Sequence, residues 1–431
     1  MDRRTFGKIL AAGISGSIIP SIGNTAQAPK SANDLGRYVM GFDAQSRASI
    51  VDALSPVVAG AEIVLLGEPS HGDGGAIQLR SKLVESLADD FGFDVLIFEA
   101  DFFSIPLGWA NVGIGSDLQT FAEANIYDFW SRAPAARPLW EFVDKRKRAG
   151  QRIDLAGVDC RLRGAIAKER LIEFLGGALA STGLHARPQF ATFVVGIRKL
   201  FDEENSFKPD NEFEATWFAF ARAAVDTLQS SKPTQNSFAS ATLASLMRWA
   251  GSAWRGESRD RAMGLNLAWL RDHKFPGRKI IVWAHNNHIL KDARVLTTSL
   301  DPKLFSDETA DEKAQYIYLG QVATQLWGPK VRSIAVIDGM GLVSADFPRA
   351  LSGARMNFEP TQRVPKHSQV SLESMLLSSD NINSIVHLHK HPDKFMQFRC
   401  SALDLYFEAM APYSLGYDAL IFNKETHGLM V

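Results

Sequence analysis

Cysteine is scarce in this chain, which contains only Cys160 and Cys400. Two cysteines do not make a disulfide framework. They read as two separate buried thiols, although an oxidising compartment would allow them to pair. There is no CxxC, which excludes a cysteine-based zinc site. Neither HExxH nor GxSxG occurs, so the helix-borne zinc site and the common serine-hydrolase elbow have no support. An excess of charge of either sign is also missing. Lys and Arg number 47 against 48 Asp and Glu, a net charge of -1, which gives no reason to expect nucleic acid or an anionic membrane surface as a partner. No internal repeat is visible, and no low-complexity tract follows residue 35. Long apolar runs are lacking too: the uncharged run Ile9–Ile19 is too short to span a bilayer.

That run belongs to a distinctive start, "MDRRTFGKILAAGISGSIIPSIGNTAQA". Arg3-Arg4 and Phe6 precede a modest apolar stretch, and Ala26–Ala28 (AQA) ends it with small residues. The pattern reads as an export signal, and the paired arginines resemble the twin-arginine signal that exports folded proteins. Pro29 is a poor residue to follow the cut, and the alternative is an amphipathic N-terminal anchor. The expectation is loss of residues 1–28, a periplasmic location and no stable membrane insertion after processing. Removing Asp2, Arg3, Arg4 and Lys8 leaves 44 basic and 47 acidic residues, a net charge of -3.

The 431 residues are 46% hydrophobic and 22% charged, enough for one large domain with an insertion or for two domains. Four short apolar runs stand out: Ile63–Leu66, Val95–Phe98, Ile153–Val158 and Lys279–Ala284. Polar or glycine residues bound each, the pattern of strands buried on both faces of a parallel sheet. Between the first two, Ile77, Leu79, Leu83, Leu87 and Phe91 recur at mostly helical spacing, which completes a βαβ unit. Runs at Ser333–Ile337, Ser384–Leu388 and Ala419–Phe422 either extend the sheet or start a second one. From 164 to 274 the stretches "AIAKERLIEFLGGALA", "FATFVVGIRKLFDEE", "EFEATWFAFARAAVDTLQ" and "ATLASLMRWAGSAW" are helical, longer than any ordinary crossover. The predicted fold is therefore α/β. A largely parallel sheet core, residues 35–163 and 275–431, carries helices on both faces, a helical insertion (164–274) and a small α+β part within 290–410.

Polar residues gather where the strands end. Glu68 and His71 follow the first run, with Gly67 as a turning point. Glu99 ends the second, Asp159 the third, and His285 and His288 the fourth. In a parallel sheet these ends share one edge, where open α/β proteins bind ligands. A single strand-end carboxylate often caps the next helix, but six ionisable groups at four ends form a candidate active site. Two chemistries fit. The histidines and carboxylates Glu68, His71, Glu99 and His285 could ligate a divalent metal, or a carboxylate-held histidine could take a proton from water while a cation stabilises the oxyanion. Arg80, early on the helix after His71, can reach back to that edge. Ser70 is too close to His71 in sequence to be its nucleophile.

Taken together, "GEPSHG" (67–72), Arg80 nine residues after His71, "GFDVLIFEAD" (92–101), "GVD" (157–159), "RDRAMGLNLAWL" (259–270), "WAHNNH" (283–288) and "YDALIF" (417–422) resemble the erythromycin esterase family in content and order. The resemblance covers most of the chain from about residue 60. It implies an esterase that needs no metal or other cofactor and cleaves a small-molecule carboxylic ester or lactone, in some members a macrolide. His71 would be the general base, Glu68 would orient or polarise it, and Arg80 and Glu99 would complete the cluster. His285, with His288 beside it, would stand near the leaving group or oxyanion, and Arg259 and Asp260 would support the site. Gly75 stands where many members have an acidic residue. A non-catalytic periplasmic binding protein on the same fold is the alternative from another class.

Three features carry less weight. "HLHKH" would place His387, His389 and His391 on one face of a strand, most simply a polar edge strand. "GDGG" (72–75) lacks the spacing and lysine of a phosphate loop. Most tryptophans read as core, while Phe129-Trp130 could line an apolar substrate groove.

Overall fold

The computed structural model describes residues 32–231, 237–299, 317–344 and 358–430. The expected export signal, residues 1–28, lies outside them. No helix among the described residues is long and apolar enough to cross a membrane.

The described residues form eleven strands: β1 (Val39–Phe42), β2 (Ile63–Glu68), β3 (Val95–Asp101), β4 (Asp154–Asp159), β5 (Ile280–His285), β6 (Val331–Val343), β7 (Gln362–Arg363), β8 (Asn383–Val386), β9 (Phe398–Asp404), β10 (Phe407–Ala411) and β11 (Ala419–Thr426). The main sheet runs β1-β8-β11-β6-β2-β5-β3-β4, with β7 on β6. From β11 to β4 every neighbour is parallel, whereas β8 and β1 add an antiparallel margin. All four predicted core strands are present. The three later runs extend this sheet, and the separate antiparallel pair is the β9–β10 hairpin.

Alternation within the strands explains the layering. Ile63 and Leu65 face one apolar layer while Val64 and Leu66 face the other, and Val95/Ile97 against Leu96/Phe98 do the same. Each such side chain contributes about 1.5–3 kcal/mol by leaving water. Leu79, Leu83 and Leu87 of helix Gly74–Asp89 pack on the second layer. Ala167, Leu171, Phe193, Trp217 and Trp249, from the helices between β4 and β5, pack on the first. The long helical stretch thus lies against a face of the sheet.

Two local expectations are corrected. β8 stops at Val386, and Leu388–Lys390 is a 3-10 turn, so His387, His389 and His391 do not share a strand face. The break follows from the His387 N–H donating to the Tyr38 carbonyl (3.0 Å) at the last rung beside β1, while Lys390 N–H closes back on His387 O (3.1 Å). Gly67 is no turning point either, because β2 continues through Glu68. A Cβ on Gly67 would stand 2.2 Å from Asn286 Oδ1 and 2.6 Å from Ile289 Cδ1, so its missing side chain lets the "WAHNNH" loop pack against the strand.

Candidate active site

The parallel register of β2 and β5 puts Glu68 directly opposite His285, and Asp159 pairs with Asp101 across β4 and β3. Two linked clusters result.

The first centres on Glu68, which is fully buried. His71 Nδ1 lies 2.7 Å from Glu68 Oε1. The Trp130 indole N–H donates to the same carboxylate, at 2.9 Å to Oε1 and 3.2 Å to Oε2, and the Arg80 guanidinium pairs with Oε2. Arg80 is also fully buried; it donates to the Leu66 carbonyl (3.2 Å) and lies 3.7 Å over the Trp283 ring. Burial lowers its pKa to about 10 despite Glu68, so it remains a cation at neutral pH. Arg80 does reach back to the strand ends, as its position on the helix suggested. It is enclosed there, however, with no part of its side chain exposed.

The His71 ring packs among three others. It stacks on Phe129 (centroids 4.5 Å apart, planes at 6°) and meets Trp130 and His285 edge-on at 5.4 and 5.3 Å. Its side chain keeps 11% exposure. With Nδ1 directed at the Glu68 carboxylate, the tautomer that donates from Nδ1 has its basic lone pair on Nε2. Trp130 therefore does not line an apolar groove; it is buried, as a hydrogen-bond donor to Glu68.

The second cluster is a chain of alternating charge. Arg259 donates to Asp159 Oδ2 (2.6 Å) and Glu99 Oε1 (2.9 Å). His288 Nε2 lies 3.0 Å from the same Glu99 oxygen, and its Nδ1 lies 2.7 Å from Asp260 Oδ1. Burial works against ionising Glu99, but His288 and Arg259 outweigh it and hold its carboxyl well below the usual range. Burial likewise opposes a charge on His288, yet Asp260 and Glu99 raise it to about 10, so this ring is an imidazolium at neutral pH. Arg259 and His288 keep 19% and 17% side-chain exposure, which makes them the cations that can face a ligand.

His285 stands between the clusters. Burial, with repulsion from His71 and His288, depresses it to about 3. Its Nε2–H donates to Pro69 O (3.1 Å), and its Nδ1 accepts from Asn287 N–H (3.2 Å). A neutral ring bonded to backbone at both nitrogens braces the His71 loop. The neighbouring Asp101 shows the other use of a strand-end acid, capping the N–H groups of Phe103 (2.7 Å), Ser104 (2.9 Å) and Gly164 (2.8 Å).

All ten residues singled out in the sequence, Glu68, His71, Arg80, Glu99, Trp130, Asp159, Arg259, Asp260, His285 and His288, fall in these clusters. Residues from the β9–β10 tip also arrive and were not foreseen. Leu405 N–H donates to Pro69 O (3.1 Å), the Tyr406 hydroxyl faces Ser70, and Asp404, pushed up by burial, feels the opposing influence of His71. Only tertiary contact joins these positions, more than three hundred residues apart in sequence, so no local signal marks them. A cavity of about 420 Å³ lies elsewhere, among Arg170, Phe174 and Phe238, and none of its lining residues belongs to the strand-end clusters.

Solved structures share the whole architecture. A Bacillus cereus protein superposes with a TM-score of 0.70 at 14% identity, covering 93% of this chain and 99% of that one. A succinoglycan biosynthesis protein gives 0.67 at 15% identity, covering 92% and 97%. A mutant of the erythromycin esterase EreC in its open conformation gives 0.60 at 16%, covering 91% and 98%. Among curated sequences, "Putative hydrolase YbfO" of Bacillus subtilis (strain 168) is 24% identical over 283 residues, 59% of this chain and 62% of that protein's own length. The family model for erythromycin esterase matches residues 89–426, from just before β3 to the end of β11. The match spans most of the chain and takes in Glu99, Asp159, Arg259, Asp260, His285 and His288, and by it this protein belongs to the erythromycin esterase family of hydrolases.

Proposed function

We propose that this chain hydrolyses a small-molecule carboxylic ester or lactone, macrolides among the candidates, with water activated by His71. The observation that carries the reading is the 2.7 Å contact from His71 Nδ1 to the buried Glu68 carboxylate, which leaves the partly exposed ring with its base at Nε2. His71 takes a proton from water as the oxygen attacks the carbonyl carbon. Glu68 stabilises the imidazolium that forms, a contribution of about 10²–10⁴-fold for a positioned base. His288 and Arg259 present positive charge to the tetrahedral oxyanion. Collapse breaks the carbon–oxygen bond, and the leaving alkoxide recovers the proton from His71. The products are the acid and the alcohol, or the opened hydroxy acid of a lactone.

The metal-dependent alternative asks the same donors to turn towards an ion. Glu68, His71, Glu99 and His285 are each already bonded to protein groups, which favours the metal-free route. The reading includes twin-arginine export and a periplasmic site of action. The deciding experiment is turnover of a panel of macrolides and simple esters by the mature protein, before and after exhaustive chelation. Hydrolysis that survives chelation supports the proposal. Hydrolysis lost on chelation and restored by metal supports the alternative, and ligand binding with no turnover supports a binding protein.

A further inference from the structure

We propose that His367, Glu373 and Glu408 form a binding site for one divalent transition-metal ion of the zinc class, outside the strand-end clusters. A ring nitrogen of His367 and one carboxylate oxygen from each glutamate lie within 4.8 Å of one another. Glu373, in the first turn of helix Leu372–Leu377, is fully buried. Its Oε1 accepts from Ser401 N–H (2.6 Å), the Ser401 hydroxyl (2.6 Å) and the Cys400 thiol (3.3 Å), while its Oε2 is buried with no partner. The His367 side chain is 4% exposed, with Nδ1 3.8 Å from Glu408 Oε2 and Nε2 also buried without a partner. Each of these buried polar atoms has lost its hydration with no hydrogen bond in exchange. A dication held by the three side chains neutralises the two carboxylates.

The third donor is aimed by the backbone. The β9–β10 pairing slips between Phe407 and Ala409, so Glu408 sits in an irregular rung, the kind of device that redirects a side chain. Ser368 N–H (2.9 Å) and the Ser368 hydroxyl (2.6 Å) orient its carboxylate. Arg399 Nε approaches Glu408 Oε1 at 3.8 Å, the cation already facing this group. The Glu408 side chain keeps 18% exposure, which provides an entry side. One imidazole and two carboxylates suit zinc or a neighbouring transition ion better than magnesium or calcium, which prefer all-oxygen sets. Zinc–ligand distances of about 2.0–2.2 Å require the donors to draw in modestly. An ion here would tie the 364–371 segment and the following helix to the hairpin whose tip rests on Pro69.

The test is calorimetric titration of chelator-stripped protein with zinc sulfate, comparing wild type, His367→Ala, Glu408→Gln and His71→Ala. The proposal expects one saturable equivalent in wild type and His71→Ala, weakened by about tenfold or more in the other two. No saturable binding by wild type, or wild-type binding by His367→Ala, overturns it. Loss in His71→Ala alone would place the ion at the strand ends, overturning both this site and the metal-free reading above. Should His367→Ala fail to fold, the visible spectrum of wild type loaded with cobalt decides. Intense bands of a low-coordinate nitrogen/oxygen site support the proposal, and the weak bands of hydrated cobalt reject it.

Discussion

His285 sits edge-on to His71, ring centroids 5.3 Å apart, and is joined to the same loop by its bond to Pro69 O. One ring is anchored to a carboxylate and partly open; the other is bonded to backbone on both sides. The two therefore respond differently to truncation. His71→Ala is expected to lose about 10²–10⁴-fold in kcat with little change in Tm, since His71 caps no helix and keeps an exposed edge. His285→Ala is expected to lose less in kcat and more in Tm. Equal losses in kcat with unchanged Tm for both would show that His285 reacts directly.

Arg80 and Glu68 form an ion pair with both side chains fully enclosed. Arg80→Met leaves an uncompensated buried carboxylate and is expected to cost about 3–5 kcal/mol, read by denaturant unfolding, and to abolish activity. The double variant Arg80→Met, Glu68→Met removes both charges and is expected to recover much of that stability without recovering activity. If it proves no more stable than Arg80→Met alone, the pair is not the source of the loss.

The pH dependence of stability follows from the two shifted histidines. His288 is raised to about 10, above its unfolded value of about 6.5. Its contribution is complete below that value and is lost as pH rises through 10. His285 is depressed to about 3, so the unfolded chain binds the extra proton and stability falls as pH drops below about 6.5. Tm is expected to pass through a maximum near neutrality. His288→Gln is expected to flatten the alkaline limb. An unaltered alkaline limb in that variant would remove His288 as its cause.

The glycines after His71 are a packing requirement. A Cβ on Gly75 would stand 2.4 Å from Thr426 Oγ1 and 2.9 Å from Thr426 Cα, and one on Gly72 would stand 1.7 Å from the Ser344 carbonyl oxygen. Position 75 thus faces β11, so Gly75→Glu is expected to destabilise by about 1–3 kcal/mol or more without adding a catalytic carboxylate. A variant as stable as wild type, with improved kcat, would contradict this placement.

The parallel core and the edge where the polar residues gather were legible in the sequence because both are local patterns. Strands buried on two faces are written as apolar runs, and a carboxylate or histidine directly after such a run is conspicuous whatever the rest of the chain does. Helix Gly74–Asp89 was equally plain, since Asp73 caps it through Ala76 N–H (2.7 Å) and leucines mark its buried side. What each polar residue does there was decided by tertiary contact. Enclosure under Trp283 makes Arg80 a buried partner of Glu68. Trp130 becomes a donor to that carboxylate because the chain returns sixty residues later. Burial and the neighbouring histidines keep His285 neutral, and two carboxylates keep His288 charged, although the two rings stand three residues apart in one short motif. The sequence by itself determined which groups reach the edge of the sheet; burial and partners, which depend on the whole fold, determined their charges.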